Sequence, residues 1–262
     1  MTGPSHLAGR AAVVTGGGRG VGAEVARQLA AAGAAVLVAA RTAVEVERVA
    51  TDLRAAGANV SATTCDVSDP HAIDRLAEQA HNTFGRIDIL VNNAGVAMAA
   101  PLGRTSLEEW NRLFATNATS AFLCMQAFLP GMVERRWGRV VNVASTAALT
   151  GYRYIAAYAA SKHAMVGLTR SIATEAAGQG VTVNAVCPSY LATRMTEETV
   201  ARVTEKTGRS RDEALQAITG LNPQKRLIEP HEVAAAVAYL CSDAAAGING
   251  ATLVIDGGEL RR

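Results

Sequence analysis

Ala11-Ala12-Val13-Val14-Thr15-Gly16-Gly17-Gly18-Arg19-Gly20-Val21-Gly22-Ala23 decides how this chain folds. Residues 11–15 form a short apolar run, a glycine cluster follows, and residues 21–32 place apolar side chains and alanines as a buried helix would. A strand, a glycine turn and a helix in that order open a βαβ unit. At such a turn glycines let backbone N–H groups and the helix N-terminus approach a pyrophosphate. Gly18, Gly20 and Ala23 also satisfy the G-x-G-x-x-A pattern. A glycine cluster alone reads as a turn, and its placement between strand and helix is what favours phosphate.

Outward from this unit the alternation continues. Residues 34–40, 59–65, 87–91, 139–144, 181–186 and 250–255 read as further short apolar strands. Helical stretches lie between them at 44–56, 70–84, 156–176 and 230–241, and a capping box at Ser106 and Glu109 opens a long helix, with a break expected near Pro130. Apolar strands separated by helices of this length imply parallel strands buried on both faces. The expected architecture is one α/β domain over residues 1–262, a doubly wound parallel sheet of about seven strands with helices on both faces. Between Pro188 and Pro230 no strand is expected, only charged helical stretches at 196–206 and 211–219. An excursion of this kind, at about 189–229, is expected to act as a substrate lid, because ligands sit beyond the carboxyl ends of the strands.

Composition excludes several classes of function. With 262 residues, 49% apolar and 18% charged, the chain has the make-up of a folded globule. Its 25 basic and 23 acidic residues give a formal charge of +2 without a basic tract that would track nucleic acid. Cys65, Cys124, Cys187 and Cys241 are dispersed and form neither a metal-ligand spacing nor a disulfide framework, so no metal is expected. Isolated thiols fit a reducing cytoplasm. The first ten residues hold no apolar leader, and no long apolar stretch suggests a membrane span.

The second strand ends Val38-Ala39-Ala40-Arg41, where an acid would bind a ribose 2′-OH. No acid stands there. Arg41, with Arg19 in the glycine loop, is placed to pair with a 2′-phosphate, although either alone reads as a solvated cation. Together they favour NADP(H) over NAD(H). Asp66, followed by Val67 at the end of the third strand, is a candidate acceptor for an adenine amino group or a cap for the next helix. Asn92-Asn93-Ala94-Gly95 follows the fourth strand, and its small residues allow close approach of a cofactor or simply form a turn.

Tyr158 and Lys162 lie four apart in a helical stretch and so share a face. An ammonium close to a phenol stabilises phenolate and lowers its pKa, which makes a tyrosine usable as an acid or base. The pair by itself is common in helices of no special chemistry. Ser145 adds to it as the first polar residue beyond the strand at 139–144, with a hydroxyl placed to hold a substrate oxygen. Asn117 interrupts the long helix, where an amide bends the backbone or holds a water beside Lys162; the two roles are compatible.

Thr15-Gly16-x-x-x-Gly20-x-Gly22, Asn92-Asn93-Ala94-Gly95, Asn117, Ser145 and Tyr158-x-x-x-Lys162, in this order across nearly the whole chain, resemble the short-chain dehydrogenase/reductase family. The resemblance implies a Rossmann-type domain and an NADP-dependent oxidoreductase acting on CH–OH or C=O. It implies catalytic roles for Asn117, Ser145, Tyr158 and Lys162: Tyr158 as acid/base, Ser145 steadying the substrate oxygen, Lys162 lowering the tyrosine pKa and binding the nicotinamide ribose, and Asn117 supporting a relay water. Cofactor contacts are implied for Gly16, Gly18, Arg19, Gly20, Val21, Arg41, Asp66, Val67, Asn93, Ala94, Gly95, Tyr158 and Lys162. Pro188, Leu191 and Thr193 match the family segment that meets the nicotinamide carboxamide. Ser189 departs from the family pattern, which has glycine after that proline, and this puts the loop path in question.

The stretches 140–146, 160–163 and 183–188 resemble bacterial 3-oxoacyl and polyketide ketoreductases. That implies NADPH-dependent reduction of a small-molecule ketone, with a substrate carried on an acyl carrier or coenzyme A as one form. An NADP-linked dehydrogenase of a secondary or cyclic alcohol or steroid is the alternative, and a dinucleotide-sensing regulator without turnover is a third. Lys206, Arg209, Arg211, Lys225 and Arg226 near the lid would suit phosphate, but interleaved acids make a solvated face the simpler account. Tyr152, Arg153 and Tyr154 are candidates to line a pocket or a subunit contact. The resemblance further implies a homotetramer, with helices at 108–132 and 156–176 at an interface.

Overall fold

The computed structural model describes residues 6–260, so part of the N-terminal stretch read above for a leader lies outside the described residues. Seven parallel strands make one sheet: β1 (Ala11–Thr15), β2 (Ala35–Ala40), β3 (Val60–Thr64), β4 (Ile89–Asn92), β5 (Gly138–Val143), β6 (Val181–Pro188) and β7 (Thr252–Ile255). Their order is β3-β2-β1-β4-β5-β6-β7. The chain runs outward one way from β1 and then returns to lay β4 on its other side. Ligand crevices form where strand order reverses in this manner, and here the reversal lies between β1 and β4.

The helices are α1 (Gly20–Ala31), α2 (Ala43–Ala55), α3 (Pro70–Phe84), α4 (Leu107–Phe114), α5 (Ser120–Glu134), α6 (Ala156–Ala176), α7 (Arg194–Thr207), α8 (Arg211–Thr219) and α9 (Pro230–Cys241). Successive strand residues face opposite sides, and the core divides accordingly. Ala12, Val14, Val36 and Val38 pack with Val25, Leu29, Val46 and Val237 from α1, α2 and α9. Val13, Leu37 and Leu90 pack on the other face with Ile73, Leu76 and Phe128 from α3 and α5. The expected single α/β domain with a seven-stranded parallel sheet is what the chain forms.

Two local expectations change. No break occurs at Pro130, which lies inside α5. The carbonyl freed by its missing N–H belongs to Gln126, and both residues are exposed, so water can satisfy it. The irregularity lies earlier, in a π-helical turn at Ala115–Thr119 that joins α4 to α5 and holds Asn117. β6 also runs two residues beyond its expected end, because Cys187 and Pro188 pair with Val254 and Ile255 of β7.

Buried charge at the amino edge of the sheet is structural. Asp88, 1% exposed, accepts from Ala11 N at 3.0 Å and from Arg86 Nε at 3.1 Å. Arg139 is likewise buried and pairs with Asp243 at 3.4 Å, its guanidinium 4.5 Å from the centre of the Trp137 ring. All four cysteines are buried, and none is in a disulfide. Burial pushes the thiol of Cys65 up to about 11 and those of Cys124 and Cys241 to about 12.

Among the described residues no group of histidine, cysteine, aspartate or glutamate could hold a metal ion. No described helix is long and apolar enough to cross a membrane.

Candidate active site

The glycine loop is shaped by contacts that a side chain would fill. Gly16 and Gly20 have φ of +65° and +54°, in the left-handed region glycine favours. A Cβ on Gly22 would stand 2.3 Å from Gly16 O and 2.4 Å from Asn93 Nδ2. Thr15 ties the loop to β4: its Oγ1 accepts from the N–H groups of Asn93 and Ala94 at 3.1 and 3.2 Å. Asn93 Nδ2 in turn donates to Thr15 O and Gly16 O. Val21 is buried beneath the loop. The first turn of α1 has no side-chain cap and no acid, whereas Asp69, Ser106 and Ser210 cap α3, α4 and α8. An open helix N-terminus behind a left-handed glycine loop fits the phosphates of a dinucleotide.

Arg41 is exposed immediately after β2. Arg19 is also exposed and pairs with Glu45 at 3.2 Å. Asp66 accepts from Ser68 N and Oγ at 3.0 and 2.7 Å, while the cap of α3 falls to Asp69. Burial works against the charge of Asp66, but the Ser68 donors outweigh it; with help from Arg41 they hold the carboxyl below its ordinary range. Val67 is buried beside it.

The four candidate reacting residues converge at the carboxyl edge. Ser145 follows β5 in extended backbone, and its Oγ accepts from Ala147 N at 3.1 Å. Tyr158 lies on the first turns of α6, close enough to Ser145 for that hydroxyl to act on its phenol. Lys162 is 4% exposed and donates to Val143 O at 3.0 Å. Asn117 Oδ1 accepts from Val96 N at 2.8 Å, and its Nδ2 donates to Val96 O and Ser161 Oγ, each at 2.9 Å. A Cβ on Gly95 would lie 3.3 Å from both Asn117 Oδ1 and Lys162 Nζ. The π turn therefore pins the loop after β4 against α6, and glycine at 95 leaves room for both polar groups.

Electrostatics here depart from the sequence expectation. Burial pushes the Tyr158 phenol up; the Ser145 hydrogen bond opposes this, and Tyr190 and Cys187 add to it. Burial also brings the Lys162 amine down to about 8. A phenol held protonated through the neutral range is suited to giving a proton.

Pro188 ends β6, and Thr193 precedes α7 with its methyl 3.6 Å from where a Cβ on Gly20 would lie. Leu191 bridges to Ile228 in parallel, so the excursion leaves and returns side by side. Val200, Ala214 and Ile218 give α7 and α8 a small core of their own, with Tyr190 packed against it.

The chain matches the short chain dehydrogenase family model over residues 10–204. It belongs to the short-chain dehydrogenase family. Within that family it is 38% identical to a 3-oxoacyl-acyl-carrier-protein reductase of Vibrio cholerae, the match covering 97% of this chain and 98% of that one. It is also 38% identical to a D-threitol dehydrogenase of Mycolicibacterium smegmatis, over 97% and 94% of the two chains. An actinorhodin polyketide ketoreductase variant solved with NADPH superposes with a TM-score of 0.94 at 36% identity, covering 98% of this chain and 99% of that one. This short-chain dehydrogenase is thus an oxidoreductase whose relatives act on both ketones and alcohols.

Some residues of the site were not singled out from sequence. Thr15 carried a signal, as the first polar residue after the apolar run of β1. Ser161, buried and bonded to Asn117, looked like any helical serine. Tyr190 and Glu259, which flank the site through Ser189, had no periodic or motif signal at all.

Proposed function

We propose that this oxidoreductase uses NADPH to reduce a ketone, of 3-oxoacyl thioester or polyketide-like type, to a secondary alcohol. The observation that carries the reading is geometric: Tyr158 and buried Lys162 stand one turn apart on α6, at the carboxyl edge of the sheet where Ser145 follows β5 and Asn117 faces the same loop. Bound nicotinamide supplies hydride to the carbonyl carbon. Tyr158 delivers a proton to the carbonyl oxygen, and Ser145 donates to that same oxygen and holds it in place. Lys162 lies where it can reach a ribose hydroxyl and carry positive charge towards the phenolate that remains. Arg41 and Arg19 meet the 2′-phosphate at the adenine end, and residues 189–229 close over the substrate.

Mixed ketone and alcohol chemistry among the relatives makes a substrate panel the decisive experiment. Ketones, 3-oxoacyl thioesters and polyols are assayed for NADPH oxidation or NADP+ reduction, with the wild type and Tyr158→Phe. Carbonyl substrates should turn over in the wild type, and Tyr158→Phe should lower kcat/KM by about 10²–10⁴-fold while NADPH still binds. Turnover of polyols alone would replace the reductase with a dehydrogenase. Undiminished turnover in the phenylalanine variant would remove Tyr158 from its role.

A further inference from the structure

Ser189 stands where the family pattern has glycine, and the structure gives its hydroxyl a partner. Ser189 Oγ donates to Glu259 Oε2 in a close contact, and Tyr152 OH donates to Glu259 Oε1 at 2.5 Å. The Tyr152 hydroxyl also lies 3.2 Å from Thr146 Oγ1, and Thr146 is the neighbour of Ser145. One carboxylate therefore holds the segment that begins at Pro188 and, through Tyr152, the segment that carries Ser145.

The turn presenting Glu259 is itself fixed. Asp256, 8% exposed, accepts from Gly258 N and Leu260 N, each at 2.8 Å. Gly257 and Gly258 have φ of +62° and +91°, and a Cβ on Gly257 would stand 2.2 Å from Asn222 Oδ1. Asn222 lies near the far end of the excursion and is 3% exposed. The turn at 256–260 thus packs on the end of the excursion while Glu259 reaches its beginning. Burial, then the Glu259 carboxylate, pushes the Tyr152 phenol up, so Tyr152 stays a donor to it.

We propose that Glu259 is a positioning residue for the cofactor: it anchors Ser189 and so sets the path of residues 188–193 against the nicotinamide end of NADPH. A glycine at 189 would leave that path to the backbone alone. Ser189 instead fixes it with a charge-assisted hydrogen bond, the stronger kind. The inference rests on the reading that residues 188–193 meet the nicotinamide.

The test compares two ligands by calorimetry: NADPH, and 2′-phospho-ADP-ribose, which lacks the nicotinamide. Glu259→Ala should weaken NADPH binding by about tenfold, the size expected for a lost hydrogen bond to a charged group, and leave 2′-phospho-ADP-ribose within about twofold. Glu259→Gln, which can accept from one hydroxyl and donate to the other, should restore most of the affinity. Ser189→Ala should reproduce the loss due to the shared contact, and the double variant should be no worse than Glu259→Ala, which already breaks that contact together with the one to Tyr152. Equal losses for both ligands would mean a general structural defect and would overturn the inference, as would unchanged NADPH affinity or additive losses. If the wild type bound 2′-phospho-ADP-ribose as tightly as NADPH, the reading of residues 188–193 would fail first. If it bound neither, the dinucleotide reading itself would fall.

Discussion

Lys162 is held where a charge is unwelcome. Its side chain is almost wholly buried, with Val143 O as the amine's hydrogen-bond acceptor, and its folded value of about 8 lies below the ordinary 10.5. Between those values the unfolded chain binds more protons than the folded one, so stability rises with pH across that window. Below about 8 both states carry the proton and the full cost of burying the charge is present. The wild type should therefore gain stability relative to Lys162→Met between about pH 8 and 10, on the order of 1 kcal/mol per unit of pH. Urea titration of the two proteins reads this directly, and a pH-independent difference would contradict it. Arg41 makes a second prediction at this scale. Arg41→Asp would remove the proposed 2′-phosphate partner and supply the acid that a ribose 2′-OH would meet. The ratio of kcat/KM for NADPH to that for NADH should fall by about tenfold or more, the loss of a charge-assisted pair; an unchanged ratio would leave NADP preference without its cause.

At the scale of elements, the glycine loop and the strand beyond it act as one unit. The Asn93 amide reaches back to Thr15 and Gly16, and Gly22 gives α1 its close approach to both. Gly22→Ala pushes a methyl into that contact, where overpacking costs about 1–3 kcal/mol. The variant should unfold at lower temperature and bind NADPH far more weakly than a control with alanine at exposed Gly103, whose Cβ would meet nothing. The loop was legible before any coordinates, because strand, glycines and helix are contiguous in sequence. The π turn was half legible: Asn117 marked an interruption, but Pro130 is a breaker by residue type, and it is the exposure of Gln126, invisible in sequence, that lets the helix run through it. The partners of Asn117 were not legible, since Val96 and Ser161 lie 21 and 44 residues away. Glu259 was equally hidden, 70 residues from Ser189 and 107 from Tyr152. Motifs record short spacings, and contacts of this separation are set by sheet order.

Across the whole molecule the sheet is polarised. Buried ions at its amino edge, Asp88 and Arg139, have their hydrogen-bonding capacity filled by backbone and by opposite charges. Polar groups at its carboxyl edge, Ser145, Lys162 and Asn117 among them, gather instead where the proposed site lies. This division was readable from strand and helix alternation, which fixes a parallel sheet and hence which edge receives the loops. The four cysteines are all buried, Cys187 near Tyr158 among them, and their thiols add a consequence of a different kind. With Cys65, Cys124 and Cys241 covered and poorly ionised, thiolate is scarce and alkylation slow. Iodoacetamide should leave the folded protein almost unlabelled and modify all four sites after denaturation, as mass spectrometry would read. A cysteine introduced on an exposed turn of α7 would then be the one reactive sulfur in the folded chain, so a fluorophore could report movement of the excursion without any native thiol having to be removed.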